Sequence, residues 1–212
     1  MEKKAQTKRK REPVFDLSGG AVCLDFANTV SERGSPKRSR DHLYGYDALI
    51  IFARDEGILS PQEARELLRF SETKPWDRAR VHRTAIALRE AIYRVFAAAV
   101  HSGEATSKDL KTIEDFAIGA MTHRHLSYPG REYRWEWKYD KKEMLGYVLW
   151  PIAQSAAELL TSERLSKVRE CAAPTCAWLF VDDSRNHSRR WCDMSVCGNR
   201  QKARRHYQKS CQ

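Results

Sequence analysis

Apolar positions recur at helical spacing through most of the first three quarters of the chain. Between Tyr44 and Glu56, Leu49, Ile50, Phe52 and Ala53 supply one stripe, and Gly57 stands where a helix ends in the left-handed conformation. Ser60-Pro-Gln-Glu63 predicts the next start, with a capping hydroxyl, a proline suited to the first turn and a glutamate that completes a capping box. Residues 77 to 101 carry the clearest pattern: Val81, Ala85, Leu88, Ile92, Val95, Phe96 and Ala99 lie mostly three or four apart, as in a core strut. Ser107 is expected to cap a further helix through about Met121. The period then changes to two. Tyr133, Trp135, Trp137 and Tyr139 alternate with Arg134, Glu136 and Lys138, and Pro129-Gly130 turns the chain back on His125 to Tyr128, which predicts a hairpin. Its aromatic face is expected to pack on a helix from Glu143 to Leu160, in which Pro151 predicts a kink. The fold class is α+β and predominantly helical.

Beyond residue 163 the pattern shortens and the cysteines dominate. Cys171 and Cys176 form one C-x4-C pair, Cys192 and Cys197 a second, with fifteen residues between them. Paired thiols on two short turns suit Zn²⁺, which favours four tetrahedral ligands and binds thiolates; a site so filled is closed and structural, with no position for catalytic water. Two disulfides would need an oxidising compartment. Residues 14 to 30 offer no uninterrupted apolar stretch for a signal peptide, because Asp16 and Asp25 break it, so a cytoplasmic protein with reduced thiols is expected. Cys23 and Cys211 fall outside the pairs and read as free thiols. Short runs at Leu165–Glu170 and Ala177–Val181 flank the first turn as a small hairpin, with Trp178 and Phe180 on one face. The second turn opens a helix from about Asn199, with Asn199 as its cap, Gly198 allowing close approach to the metal, and Ala203 and Tyr207 packing the helix back on the hairpin. Hairpin turn followed by helix-opening turn is similar to a treble-clef module.

The same residues carry a family resemblance. Cys171-Ala-Ala-Pro-Thr-Cys176, Trp178 to Asp182, Arg189-Arg-Trp-Cys192 and Cys197-Gly-Asn-Arg200 resemble the CGNR-type zinc finger of bacterial proteins. Leu24-Asp-Phe-Ala-Asn-Thr29 resembles the motif that opens the ABATE domain, the usual N-terminal partner of that finger. The resemblance implies a stress-induced transcription regulator that binds DNA. The chain thus divides into a basic tail over residues 1–12, which lacks apolar anchors and is expected to be disordered, a mostly helical ABATE-like domain over 13–162, whose near-neutral charge and own amphipathic helices predict that it folds without the finger, and the finger over 163–212.

Charge sharpens the choice of partner. The chain of 212 residues carries a formal net charge of +10. Residues 1–12 hold six Lys/Arg against two acids and residues 164–212 eleven against four, which leaves the middle near neutrality. Basic ends on a neutral body suit a phosphate backbone better than they suit a generally basic enzyme. No apolar run reaches the length of a membrane span. On the finger's helix, Arg200, Lys202, Arg204, Arg205 and Lys209 form a basic rod suited to a DNA groove, with Arg189, Arg190 and Lys202 gripping phosphates. Solvated charges around a protein-interaction module are the competing account, and an RNA- or ribosome-associated module is another, since Trp178, Trp191 and Tyr207 also suit single strands.

Asp25 and Asn28 lie one helical turn apart and admit two readings. They either face a small polar ligand together, in which case the N-terminal domain binds a small molecule or even catalyses, or they bond to backbone amides and fix the end of the first helix and its following loop, Ser31 to Arg40. No nucleophile sits in a recognisable motif, which argues against an enzyme. The expected protein is a DNA-binding regulator in which a helical domain senses a signal or forms a homodimer and a four-cysteine finger reads nucleic acid.

Overall fold

The computed structural model describes residues 12–138 and 145–210, excluding the side chains of Arg205, Lys209 and Ser210. The basic tail up to Arg11, Tyr139, the opening of the helix expected at Glu143, and Cys211 lie outside the described residues.

A six-residue helix, α1 (Val22–Ala27), sits at the centre of the molecule. Cys23, Leu24, Phe26 and Ala27 are wholly buried, because α4 (Pro75–Val100) and α6 (Leu149–Leu160) pack on it from the body and the C-terminal hairpin packs on it as well. So short a helix is marginal alone and is held by this packing. After α1 comes a minimal antiparallel pair, β1 (Val30–Ser31) with β2 (Arg40–Asp41), whose connection is the loop 32–39. Helices α2 (Tyr46–Asp55) and α3 (Pro61–Ser71) follow the pattern expected of them. Gly57 ends the first at φ +72°, and Ser60 and Glu63 exchange both bonds of the capping box. The long strut α4 buries Val81, Ala85, Leu88, Ile92, Val95 and Phe96, as its spacing requires.

Two local expectations are corrected. The cap of α5 (Ser107–Met121) is Thr106, whose hydroxyl accepts from the Asp109 amide, so Ser107 is already the first helical residue. Pro151 produces no kink: it lies in the first turn of α6, where the amide has no intrahelical acceptor in any case.

The hairpin β3 (Arg124–Ser127) and β4 (Arg134–Trp137) forms in the register Leu126 opposite Trp135 and Arg124 opposite Trp137. Only its inner end packs as expected. Trp137 lies 5.9 Å from the Trp150 ring of α6, whereas Tyr128 and Tyr133 pair with each other at 4.5 Å in the open and Trp135 is half exposed under the Arg124 guanidinium. Beyond that inner end the aromatic side chains of the ribbon stand in solvent.

The C-terminal hairpin, β5 (Val168–Glu170) with β6 (Leu179–Val181), is part of the body's core. Alternation along β6 sends Leu179 and Val181 into that core and Phe180 into a second cluster around the cysteines. The division at residues 162 and 163 is thus a boundary of sequence motifs that one hydrophobic core crosses.

Candidate metal centre and basic face

The loop between β5 and β6 presents Cys171 and Cys176. The Cys171 amide donates to the Trp178 carbonyl at 2.8 Å and the Cys176 amide to the Ala173 carbonyl at 2.9 Å, which closes the turn. The second pair is built by a loop organised from inside. Asp182, wholly buried, accepts from the Ser184 amide and hydroxyl and from the Arg189 amide. Burial alone would raise this carboxyl, but those hydrogen bonds hold it below the ordinary range. The Ala172 amide then donates to the Arg190 carbonyl at 2.9 Å and draws the two turns together. A π-helical turn, Met194–Gly198, carries Cys197 and runs on into α7 (Asn199–Ser210). Its cap is Asp193, which accepts from the Val196 amide at 2.9 Å. Asn199 is already helical and donates to the Ser195 carbonyl, so it is not the cap. Gly198 is cleared for protein: a Cβ there would strike the Met194 sulfur and come within 3.2 Å of Trp191.

The four ligand sulfurs of Cys171, Cys176, Cys192 and Cys197 lie within 4.8 Å of one another, and Cys192 Sγ is 3.6 Å from both Cys176 Sγ and Cys197 Sγ. Four thiolates at the ~2.3 Å Zn–S distance stand about 3.8 Å apart in a tetrahedron, so the spacing fits one ion. None of these thiols is in a disulfide. Exposure of 2–6% at each cysteine makes the centre closed. Thiols packed this closely ionise together only beside a cation. Hydrogen bonds from Cys176 and Cys192 hold the Cys171 thiol far down, while the bond to Cys171 pushes Cys176 and Cys192 up and burial raises Cys197. Four thiolates cannot coexist here without a compensating charge, and one structural Zn²⁺ supplies it.

Asp25 and Asn28 do bond to backbone groups, but at Gly19 and Leu179 and not in the loop 31–40. The Asn28 side chain amide donates to the Leu179 carbonyl at 2.8 Å and its Oδ1 accepts from the Leu179 amide at 2.9 Å, so one side chain extends β6 like an added strand residue. Asp25 Oδ1 accepts from the Gly19 amide at 2.7 Å, and the Gly19 carbonyl accepts from the Val181 amide at 2.8 Å. Trp178 adds an Nε1–H bond to the Val30 carbonyl at 2.8 Å. The motif that opens the body bolts it to the zinc hairpin. Burial pushes the Asp25 carboxyl up to about 7, partly offset by the Gly19 amide. A cleft lined by Phe15, Asp16, Asp25, His42 and Trp178 runs beside it.

The expected nucleic-acid residues divide. Arg189 is spent on the fold: its guanidinium donates to the carbonyls of Ser18, Trp191 and Cys192 and covers the Phe180 ring at 4.4 Å. Arg190, Arg200, Lys202 and Arg204 are exposed, with Arg200 paired to Glu32 at 2.9 Å. The side chains of Arg205 and Lys209 lie outside the described residues. Ala203 and Tyr207 do not pack the helix onto the hairpin, since both are exposed and Tyr207 is 71% accessible. Among the described residues α7 packs chiefly on the π-helical turn that precedes it.

Asp182, Asp193 and Glu32 were the site residues missed at the level of sequence. The first two had a signal, an Asp two or three residues before the amide it caps. Glu32 had none, since its partner is 168 residues away.

Comparison with known proteins agrees with this division of labour. Residues 167–210 match the CGNR zinc finger, and residues 20–163 match the ABATE family, described as "Putative stress-induced transcription regulator". Neither description is that of an enzyme. No curated protein matches the chain. Among the described residues no helix is long and apolar enough to cross a membrane. With a match that spans more than half of its length, the chain belongs to the ABATE family and carries a C-terminal CGNR zinc finger.

Proposed function

We propose that the protein is a DNA-binding transcriptional regulator in which the zinc centre holds α7 out from the body as a contact for duplex phosphates. The observation that carries this reading is the helix itself. A helix polar on all sides gains nothing from burial and is stable only where something else engages it. Here Lys202 and Arg204 stand exposed on a helix fixed at one end by a ligand, Cys197, and tied to the body by the Arg200–Glu32 pair, so direction is set by these anchors and charge is left for a partner. Arg190, exposed beside the Trp191 ring, adds a further cation next to the zinc centre.

A salt titration of binding to mixed-sequence duplex, structured RNA and single strands tests the proposal. Duplex binding whose log K falls with log salt, and which weakens in Lys202→Gln/Arg204→Gln with zinc content intact, is the expected result. Preference for RNA would move the protein to an RNA-associated class. No salt-dependent binding to any of the three would leave a protein-interaction module as the better account. The cleft beside Asp25 favours a sensing role for the body, because a ligand there would touch Trp178 and so the finger. Calorimetric screening of small organic cations against the parent and Asp16→Asn tests that role; no binding by any of them would refute it.

A further inference from the structure

The body contributes cations of its own to the face on which α7 stands. The loop 32–39 and the strand residue after it contain Arg33, Lys37, Arg38 and Arg40 against one acid, Glu32. Arg33 turns inward, to Glu90 at 2.6 Å and over the Tyr93 ring at 4.0 Å. Lys37, Arg38 and Arg40 are exposed and have no carboxylate partner among the described residues. The loop is built to hold them still. The amides of Arg38 and Ser39 both donate to the Ser35 carbonyl at 2.8 Å, and the Ser35 amide donates to the Glu32 carbonyl.

It is also pinned to the finger. The Gly34 amide donates to the Thr175 carbonyl within the first zinc turn at 3.1 Å, and a Cβ on Gly34 would come within 3.0 Å of the Pro174 carbonyl oxygen. A side chain there would have to push that carbonyl aside. Glu32 pairs with Arg200 in the first turn of α7, which brings the loop's cations and the helix into one concavity lined by Ser31, Lys37, Arg38, Ser39, Arg40 and Arg200. Cations and hydroxyls on two elements, with the lone acid already neutralised, have the donor set of a phosphodiester backbone site.

We infer that the loop 32–40 is a second duplex-DNA contact, so that body and finger form one composite phosphate-binding surface. The inference rests on the DNA-binding reading above and adds a contact to it that neither matched segment supplies alone. Lys37, Arg38 and Arg40 neutralise phosphates flanking those held by α7, and the docked loop fixes the distance between the two sets.

The test uses the full zinc-loaded chain with a mixed-sequence duplex and, in parallel, a structured RNA, comparing the parent, Lys37→Gln/Arg38→Gln/Arg40→Gln, and the helix variant Lys202→Gln/Arg204→Gln. All five positions are exposed, and zinc content and thermal midpoint verify that each variant folds. Each phosphate that is no longer neutralised lowers the magnitude of the salt slope by ~0.9, so the loop variant should drop by about 2–3 in slope and bind on the order of a hundredfold more weakly near physiological salt. The two variants should differ from the parent independently. A loop variant that binds like the parent while the helix variant weakens overturns the composite surface and leaves the DNA-binding reading intact. Loss of structured-RNA binding with duplex binding unchanged overturns the assignment to DNA. A parent with no salt-dependent duplex binding removes the underlying reading itself.

Discussion

Replacing Asn28 by Ala tests whether the ABATE motif and the zinc hairpin are one structural unit. The substitution removes both bonds to Leu179, one to its carbonyl and one from its amide. Leu179 is wholly buried and Asn28 is 3% exposed, so water does not replace the missing partner. An orphaned buried backbone group costs ~1–3 kcal/mol, and two of them, with some relaxation, come to about 3 kcal/mol. For a chain of this size that loss lowers the thermal midpoint by about 6–12 °C. Calorimetry of the zinc-loaded chain gives the shift, and a colorimetric chelator gives the rate of zinc release. Both should change together, since the bonds join the centre of the body to the strand that carries the first thiol turn. A double-mutant cycle with Trp178→Phe, which removes the bond to Val30, should show coupling because the two side chains hold the same edge. A midpoint within about 2 °C of the parent with unchanged zinc release refutes the reasoning.

Further outcomes follow from the same geometry. Replacing Cys171 by Ser should abolish stoichiometric zinc and lower the midpoint of the whole chain; full zinc retention by metal analysis would remove Cys171 from the ligand set. A fragment of residues 12–162 lacks Val168, Leu179 and Val181 of the common core, so it should melt without the cooperativity of the parent; a sharp, parent-like transition would show that the body is self-sufficient. Because burial raises the Asp25 carboxyl to about 7, above its ordinary value, folding favours the protonated form, and its contribution to stability fades as pH rises from about 4 through 7. Asp25→Asn should therefore gain stability relative to the parent across that window, on the order of 1 kcal/mol per pH unit, and a difference in denaturation midpoint that does not vary with pH would contradict this. Gly34→Ala should cost ~1–3 kcal/mol by forcing the loop off Pro174; an unchanged midpoint would mean the loop can give without penalty.

Legibility tracked how local the cause was. The helices α2 to α5 could be read because their apolar stripes are local, and in α3 the capping box of Ser60 and Glu63 needs nothing from elsewhere. The four cysteines could be read because thiol pairs at that spacing serve few chemistries. What stayed hidden depended on distant partners. Tyr128, Tyr133 and Trp135 alternate as core residues do, but alternation records which face they share and not whether that face is covered. Tyr207 is apolar enough to suggest packing, yet among the described residues α7 packs chiefly on the turn that precedes it and leaves Tyr207 exposed. Asn28 looked like half of a pocket because its partner, Leu179, is 151 residues away.

Charge shows most clearly why a sum along the chain misleads. The middle of the sequence is near neutral, which makes it look indifferent to a polyanion. In the folded body the balance is reached by pairing in place: buried Arg89 grips Asp41 at 2.7 and 2.8 Å, Arg33 takes Glu90, and Arg94 takes Asp109. Those acids neutralise the arginines they touch and little else, since a matched pair of opposite charges acts at a distance only as a dipole. Lys37, Arg38 and Arg40 receive none of that compensation and stand beside Arg200. What a phosphate backbone would meet is therefore the unpaired residue of the charge, set by contacts 168 residues apart in sequence, and not the regional total.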